Sequence, residues 1–444
     1  MKKSLFVFCM MALTASNIDS QVLPQLKIKN ELQSRMEKAL EKARSYPIPE
    51  WCNSEELLKK RDIIIQKAIK TLYNNYLSPI NRIRYESVMP SPSLYNGLWS
   101  WDSWKHSAGL AYIDPELAKN SIRAMYDYQY ENGFVPDCVF PDTNNFTGST
   151  CVEELTKPPL TGWAVWEIYE QTHDISFVAE MMPKIIKYHE WRYEDRDINK
   201  NGLCELGAGV NRLSTASCEM ADMAIRYDDA KLIKKSDKCY SMNTEPVDLS
   251  AYMYQEKEFI VKMAKLIGDK KTEKRFKKEA KELKKQIQKH FYDEKTGFFY
   301  DTWIEDGSFI LSQESNGWTP LFAGAATKKQ AKRVIANLLD ENKFNTPLPL
   351  PTASKDNPKF DGEKGYWRGA VWLDQFYFGY DGMLKYGYKE EAYTLLRKLI
   401  MNTPELSDPN KELRENYNPF TGEGTHVSNF GWTASHLLML MLQK

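Results

Sequence analysis

The segment L-R-E-N-Y-N-P-F-T-G-E-G, residues 413–424, places one carboxylate, Glu415, among turn-forming and aromatic residues. Its asparagine, proline and glycine residues predict an ordered turn, and its rings would wall that turn. A carboxylate held between rings and turn amides is what a general base acting on water requires. A surface turn with an incidental glutamate is the alternative interpretation.

A second segment, G-L-W-S-W-D-S-W-K-H at residues 97–106, combines tryptophans with an acid and an imidazole. Sugar rings stack their apolar faces on aromatic side chains, and their hydroxyl groups pair with carboxylates, so this combination suits a saccharide subsite. The residues predicted to bind substrate here are Trp99, Trp101, Asp102 and His106. A buried tryptophan cluster around a satisfied aspartate is the alternative.

A third segment, G-Y-W-R-G-A-V-W at residues 365–372, encloses Arg368 between aromatic residues. Arginine in this setting would hold a substrate hydroxyl or orient a carboxylate, or would stack on tryptophan for packing alone. The predicted binding residues are Tyr366, Trp367, Arg368 and Trp372, joined by Trp432 from the F-G-W-T segment that follows the Glu415 turn.

The segment C-E-M-A-D-M-A-I-R-Y-D, residues 218–228, offers Glu219 and Asp222 as candidate acids, with Arg226 one helical turn beyond Asp222. A lone aspartate before a helix is more often a helix cap than a catalyst. Which of the two carboxylates acts therefore stays open at the level of the residues.

A possible metal loop lies at Asp197, Asn199 and Asn201-Gly202, which form D-x-N-x-N-G, the front half of a calcium-binding loop. Position 12 of such a loop would be Ala208 rather than glutamate, although Glu205 or a distant carboxylate could substitute. An Asx turn explains the same pattern and is preferred. The sequence predicts no other metal and no cofactor.

Helical periodicity runs from about residue 30 to the end, with few convincing strands. Phe276, Ala280, Leu283 and Ile287 recur at three or four residues, the pattern of one buried helix face. Asp114-Pro115-Glu116 predicts a helix start, with the helix continuing to about Tyr130. About a dozen helices with no low-complexity linker indicate a single, mostly α-helical domain.

The predicted helices are joined by connections of two kinds. Some are short and charged, whereas others are long and rich in Trp, Gly and Pro: 86–104, 131–160, 191–222, 300–320, 345–372 and 403–431. Long loops inside a compact domain usually carry function. If the helices alternate around a closed toroid, the long loops gather at one end as a tryptophan-lined cup.

Composition and the N-terminus bear on compartment and partners. Lysine plus arginine and aspartate plus glutamate both number 60, so no charge excess recruits nucleic acid or anionic lipid. Two lysines followed by a short apolar run predict a cleaved signal peptide over residues 1–20, hence a secreted or periplasmic protein without a membrane anchor. Cys138 and Cys151 could close a short loop, but the six cysteines of the mature chain allow 15 pairings, and the oligomeric state stays open.

Taken in order, W-x-W-D-S-x-x-H, Y-W-R-G-x-V-W and E-N-Y-N-P-x-T-G-E-G resemble glycoside hydrolase family 63, the processing α-glucosidase and mannosylglycerate hydrolase group, related to the family 37 trehalases. The resemblance implies an (α/α)6 barrel and an inverting mechanism. It implies a lead-in of helices over 21–85 packed on a barrel over 86–444, with no room for the N-terminal β-sandwich of larger relatives.

The resemblance also implies roles: Glu415 as general base, and Asp222, four residues before Arg226, as general acid. The family pattern E-S-G-x-D-N-x-x-R is altered here, because Cys218-Glu219-Met220 replaces Glu-Ser-Gly and Met223 replaces Asn. Glu219 is therefore the fallback acid.

The function expected is an exported inverting α-glycosidase, glucosidase-like, which releases a terminal sugar from a small oligosaccharide or glycoside. Mannosylglycerate hydrolase or trehalase activity is the alternative within the class. A lyase or epimerase acting on uronic acids would need a Tyr/His pair and a more basic cleft, which the motifs lack. A sugar-binding barrel that has lost its acid is the non-catalytic alternative.

Overall fold

The structure is a computed structural model, and it describes residues 30–142, 151–152 and 155–443. The predicted signal peptide at 1–20 and the first part of the predicted lead-in, 21–29, lie outside the described residues. Within the described ranges no helix is both long and apolar enough to cross a membrane.

The described residues form fourteen α-helices. They are α1 (30–44), α2 (Glu55–Asn74), α3 (Ser100–Leu110), α4 (Pro115–Tyr126), α5 (Thr161–Thr172), α6 (Ile175–Asp195), α7 (Leu213–Ser217), α8 (Val247–Ile267), α9 (Lys270–His290), α10 (Thr319–Phe322), α11 (Lys328–Leu338), α12 (Leu373–Lys385), α13 (Lys389–Asn402) and α14 (Gly431–Leu442). Four short 3-10 turns accompany them, at Ile225–Tyr227, Ser315–Trp318, Tyr366–Arg368 and Pro404–Ser407.

Six of these helices close an inner ring. Each of α3, α5, α8, α10, α12 and α14 packs against the next in that order, and α14 returns to pack against α3. Behind the ring lie α4, α6, α9 and α13, and α2 packs against the back of α14. The ring confirms the predicted all-α, (α/α)6 barrel. The boundary at residue 86 stays a prediction of the sequence.

Local sequence accounts for several helix ends. The carboxylate of Asp114 accepts the backbone N–H of Leu117 at 3.2 Å and caps α4, although α4 ends at Tyr126, four residues earlier than predicted. Between α8 and α9 the chain reverses at Gly268, whose φ of 81° lies in the left-handed region that glycine tolerates. The predicted apolar face of α9 is buried.

The strands of the described ranges are short, and all fourteen lie in the connections between helices. They are β1 (Tyr76–Leu77), β2 (Ser87–Val88), β3 (Leu98–Trp99), β4 (Cys138–Val139), β5 (Cys151–Val152), β6 (Gly207–Ala208), β7 (Leu232–Ser236), β8 (Cys239–Met242), β9 (Thr244–Glu245), β10 (Tyr292–Asp293), β11 (Phe298–Phe299), β12 (Thr302–Trp303), β13 (Arg414–Tyr417) and β14 (Gly424–Ser428).

The strands pair antiparallel as β1-β2, β3-β4-β5, β6-β8-β7, β9-β12, β10-β11 and β13-β14. In the β4–β5 pair, Cys138 lies opposite Val152 and Cys151 lies opposite Val139. The two cysteines named above as possible partners are thus one position out of register.

Candidate active site

One pocket lies where the long connections meet. Its wall is aromatic and carries Tyr95, Trp99, Trp101, Tyr366, Trp367, Phe430 and Trp432. Three carboxylates and one ammonium also line it: Asp102, Asp222, Glu415 and Lys157. Apart from Trp432, which lies at the start of α14, these residues come from five of the six long loops predicted to gather at one end, 300–320 being the exception. The predicted tryptophan-lined cup is present.

Glu415 is held on both carboxylate oxygens. The Tyr366 hydroxyl donates to Oε1 at 2.7 Å, the Tyr95 hydroxyl lies 3.4 Å from the same oxygen, and the Val427 N–H donates to Oε2 at 3.3 Å. Its side chain is buried, 2% exposed, and burial raises its pKa while the Tyr366 hydrogen bond lowers it. The carboxylate therefore has a fixed orientation and a raised proton affinity, as a general base needs.

The element that positions Glu415 differs from the prediction. Glu415 lies on strand β13, and the predicted turn follows it, with Gly422 at φ 71°. The pairing of β13 with β14 shifts register between Arg414 and Asn416, which leaves Glu415 at an irregularity of the ladder. Such irregularities re-aim a side chain. The turn chemistry was recognised in the sequence, but the hairpin that it closes was not.

Asp222 lines the same pocket from a turn between α7 and the 3-10 turn Ile225–Tyr227. The segment is not the continuous helix that the Asp222–Arg226 spacing suggested. Met223, which follows, has φ 56°, and its side chain is 66% exposed. Burial raises the pKa of Asp222, and the positive charge of Lys157 opposes that rise. Desolvation of this kind keeps a carboxylic acid protonated for proton donation.

The fallback acid Glu219 has a structural role instead. It is fully buried outside the pocket lining, accepts from Arg192 at 3.0 Å and accepts the Gly207 N–H at 2.6 Å. Arg226 is likewise buried, and it donates to Asp248 at 2.6 Å and to Asp301 at 3.1 Å. The geometry therefore brings Asp222 to the pocket and keeps Glu219 from it.

Asp102, on the first turn of α3, is 4% exposed, and burial raises its pKa to about 7. The indoles of Trp101 and Trp432 meet edge to face at 5.4 Å, and Trp367 lies 6.3 Å from Trp101. A carboxyl beside such rings can hold sugar hydroxyls while the indoles cover the apolar ring face.

The two residues that support these rings, Lys105 and Asp374, were not predicted from the sequence. The Lys105 ammonium lies 3.3 Å from the Trp101 ring centroid and 3.7 Å from that of Trp432, and it pairs with Asp374 at 2.8 Å. Lys105 and Asp374 are both fully buried. The adjacency of Lys105 to the tryptophans was visible in the sequence, but its partner on α12 was not.

Three residues predicted to bind substrate lie outside the pocket lining. His106 is fully buried on the face of α3 against Gly431 of α14, and burial lowers its pKa to about 3. Trp372 is buried and stacks against Trp367 at 4.2 Å, so it supports the wall.

Arg368 is the third. Its guanidinium makes a bidentate pair with Asp228 at 2.7 and 2.9 Å and donates to the Met223 carbonyl at 3.1 Å. It therefore ties the Tyr366–Arg368 turn to the loop of Asp222 rather than facing a sugar.

Sequence reasoning also missed Lys157 and Tyr95 as lining residues. Both fall in loops that were predicted to reach this end of the barrel. A lysine before two prolines, or a tyrosine in a polar loop, carries no chemical pattern that would have distinguished it.

The loop at Asp197, Asn199 and Asn201 uses its side-chain oxygens internally. Asp197 accepts the N–H groups of Asn201 and Gly202 at 3.0 and 3.1 Å, and Asn201 Oδ1 accepts the Leu203 N–H at 2.9 Å. These are Asx turns. Over the described ranges no group of three or more His, Cys, Asp or Glu residues has a metal-binding arrangement.

Comparison with known proteins identifies relatives of the whole barrel. The family model described as the mannosylglycerate hydrolase MGH1-like glycoside hydrolase domain matches residues 95–433. Mannosylglycerate hydrolase MGH1 of Selaginella moellendorffii is 25% identical over 406 residues, which cover 79% of this chain and 81% of that protein.

Two solved structures share the fold. The family 63 mannosylglycerate hydrolase of Thermus thermophilus, in complex with Tris, superposes with a TM-score of 0.72 at 20% identity over 85% of this chain and 99% of that one. The neutral trehalase of Saccharomyces cerevisiae superposes with a TM-score of 0.64 at 16% identity over 81% of this chain and 74% of that one.

Proposed function

The chain belongs to the mannosylglycerate hydrolase MGH1-like family of glycoside hydrolases, within family 63, and is an inverting glycosidase; from this premise we propose that Asp222 is its general acid and Glu415 its general base. The observation that carries the proposal is the convergence of both carboxylates on one aromatic pocket that also contains Asp102.

The acid step begins with a protonated Asp222. Burial raises its pKa, so the carboxyl keeps a proton that it can donate to the glycosidic oxygen as the bond breaks. The leaving alcohol departs with that proton. Charge then develops on the sugar ring as an oxocarbenium-like cation.

The base step uses the opposite face of the ring. Glu415, oriented by Tyr366 and the Val427 N–H, takes a proton from the water that attacks the anomeric carbon. Inversion needs room for this water, which corresponds to roughly 6.5–9.5 Å between the two carboxyl groups. Asp102 accepts sugar hydroxyl groups, and Trp101 and Trp367 cover the apolar face of the ring.

The substrate is proposed to be a small α-glycoside whose terminal sugar is released. An aromatic wall with a few carboxyl groups suits one sugar ring with a small leaving group. Glucosides are the leading candidates. Mannosylglycerate and trehalose follow because proteins with those hydrolase names are among the relatives.

One experiment tests the proposal. The protein is incubated with α-glucosides, trehalose and mannosylglycerate, and proton NMR follows the anomer first released. Initial release of the β-anomer, lost in Glu415→Gln and Asp222→Asn, supports it. Initial release of the α-anomer contradicts inversion, and full activity of either variant contradicts the assigned roles.

Export is also proposed. The basic start, short apolar run and small polar residues of positions 1–20 support a signal peptide. Expression of the full chain followed by cell fractionation and N-terminal sequencing should recover a shortened protein outside the cytoplasm. Recovery of the intact N-terminus in the cytoplasm would refute it.

A further inference from the structure

The backbone of Lys157 is fixed by its own hydrogen bonds, independently of the contacts of its side chain. It lies just ahead of α5 and is followed by two prolines, and its carbonyl oxygen accepts hydrogen bonds from the Tyr188 hydroxyl and the Arg192 guanidinium, both on α6. Because two donors bond this carbonyl oxygen and two prolines follow, the backbone is fixed and the side chain has a defined direction. That direction is into the pocket, where the side chain is 9% exposed.

The Lys157 ammonium lies in the part of the pocket wall that carries Asp222. It donates to the carbonyl oxygen of Cys218, four residues before Asp222, and lies 3.5 Å from Asp137 Oδ1. It also lies 5.4 Å from the centroid of the Trp101 ring. One side chain thus connects α3, Asp137, which precedes strand β4, and the loop that carries Asp222.

The charges around the pocket are unequal. Three carboxyl groups line it, and Lys157 is the one cation among the described lining residues. Lys157 itself pairs with Asp137, which is outside the lining, and the other nearby cations pair elsewhere, Lys105 with Asp374 and Arg368 with Asp228. The titratable groups that influence Asp222 or are influenced by it are Lys157, Cys218, Asp137, Glu415, Tyr95 and Tyr366.

We infer that Lys157 is a positioning residue for the acid: it anchors the loop of Asp222 through the Cys218 carbonyl and supplies the positive charge opposite the carboxyl groups of the pocket. The inference rests on the proposed role of Asp222 as general acid. Lys157 acts through Asp222 and need not touch the substrate.

Removing the charge should move one side of the pH profile. The Lys157 charge lowers the pKa of Asp222, so Lys157→Met raises that pKa and keeps the acid protonated to higher pH. We expect the alkaline limb of the kcat/KM profile to move to higher pH by about one pH unit. The acid limb, which Glu415 sets, should stay in place. Loss of the anchor should also lower kcat by about tenfold or more, because a displaced acid donates poorly.

Two further variants separate charge from anchoring. Lys157→Gln keeps a donor for the Cys218 carbonyl without the charge, so it should show the shifted alkaline limb with a smaller loss of kcat. Lys157→Arg keeps the charge and should hold the limb near its original pH. Lys257→Met is the matched control, because Lys257 is also buried but pairs with Glu279 on α9, behind the ring. It should leave the pH profile unchanged.

The outcomes are decisive once circular dichroism shows that each variant is folded. An unshifted alkaline limb in both Lys157→Gln and Lys157→Met overturns the inference. So does a loss confined to KM for substrates that carry a carboxylate, which would make Lys157 a binding group for an acidic leaving group. Retained activity in Asp222→Asn would instead overturn the proposed function, so the two failures are distinguishable.

Discussion

At the scale of single residues, the two proposed catalytic carboxyls differ in what surrounds them. Burial raises the pKa of both. Glu415 is then stabilised in its charged form by neutral donors, whereas Asp222 shares the pocket with the cation Lys157, whose charge lowers its pKa. Neutral donors orient a base without a counter-charge, and a nearby cation adjusts the proton affinity of an acid. Each neighbour can be removed separately.

Tyr366→Phe tests the donor to Glu415. The lost hydrogen bond had lowered the pKa of Glu415, so that pKa rises and the acid limb of kcat/KM moves to higher pH. A hydrogen bond to a charged group is worth about 1.5–3 kcal/mol, which predicts a loss of kcat of at least about tenfold. Tyr46→Phe is the control, because the Tyr46 hydroxyl bonds Gln171 at the end of α5 and neither residue lines the pocket. An acid limb that does not move would contradict the prediction.

Asp102→Asn tests whether the buried carboxyl group of Asp102 lowers the stability of the fold as the pH rises. Burial raises the folded-state pKa of Asp102 to about 7, so the folded protein holds a proton that the unfolded chain releases near pH 4. The free energy of unfolding therefore falls as the pH rises between about 4 and 7. An asparagine has no such proton to lose, so the variant avoids that loss of stability. We expect it to be about 1–3 kcal/mol more stable than the parent at pH 8, with little difference at pH 4. It should also be impaired in sugar turnover.

Thermal unfolding at the two pH values measures the Asp102→Asn effect. Asp237→Asn is the control, since that carboxylate is 93% exposed and should show no pH-dependent change. A variant at Asp102 that is destabilised equally at both pH values would refute the interpretation.

At the scale of elements, short irregular pieces carry the chemistry and long helices support them. Glu415 lies on a four-residue strand, Asp222 in a turn, and Tyr366 on a 3-10 turn. Hydrogen bonds between these pieces, such as the Arg368–Asp228 pair, hold the site together. A substitution in a turn should therefore alter the geometry of the site even when the substituted residue does not line the pocket.

Gly422→Ala should damage the hairpin of Glu415. Gly422 has φ 71°, and an added Cβ would lie 2.1 Å from the carbonyl oxygen of Asn402. Gly387→Ala is the matched control, because Gly387 has φ 87° but no atom within 4 Å of such a Cβ. The control should lose about 1 kcal/mol of stability and keep its kcat, whereas Gly422→Ala should lose more stability and also kcat. Denaturant unfolding and steady-state kinetics measure both, and equal effects would contradict the prediction.

At the scale of the whole molecule, the barrel depends on its closure by α14. This last helix packs on α3 within the ring and on α2 behind it. Because α14 also brings Trp432 to the pocket, ring closure completes the aromatic wall of the pocket. The first and last inner helices approach closely at Gly109.

Gly109→Ala should strain this closure. A Cβ on Gly109 would lie 2.5 Å from the Ser435 Cβ and 2.6 Å from its carbonyl oxygen. Overpacking of this kind costs typically about 1–3 kcal/mol. Gly162→Ala, on the inner helix α5, is the control because its nearest neighbours are side chains at 3.2 Å and 3.3 Å. Thermal unfolding should show the larger loss for Gly109→Ala, and the reverse order would refute the role of this contact.

Much of the fold was predictable because its causes are local. The period of apolar residues identified α9, and Asp114-Pro115 identified the start of α4. The end of α4 was less predictable, since helix ends depend on what the following chain packs against. The hairpin of Glu415 was missed because its strands are only four and five residues long.

Within the site, residue type and spacing predicted Glu415 and the tryptophan wall, and the resemblance to the family added Asp222 as the acid. They did not predict that His106 and Trp372 lie behind that wall, because a motif lists residues without stating which way each side chain points. The choice between Glu219 and Asp222 likewise needed Arg192, which is distant in sequence and takes Glu219 out of the pocket.

The order of motifs along a helical chain was therefore enough to predict the family and the barrel and to name Glu415 and two candidate acids, because these follow from short-range patterns. Tertiary structure alone decided which candidate acid reaches the pocket, which aromatic side chains line it, and that Lys157 lines the same pocket as Asp222. Those outcomes depend on contacts between residues far apart in sequence, and desolvation and charge act on a carboxyl only through such contacts.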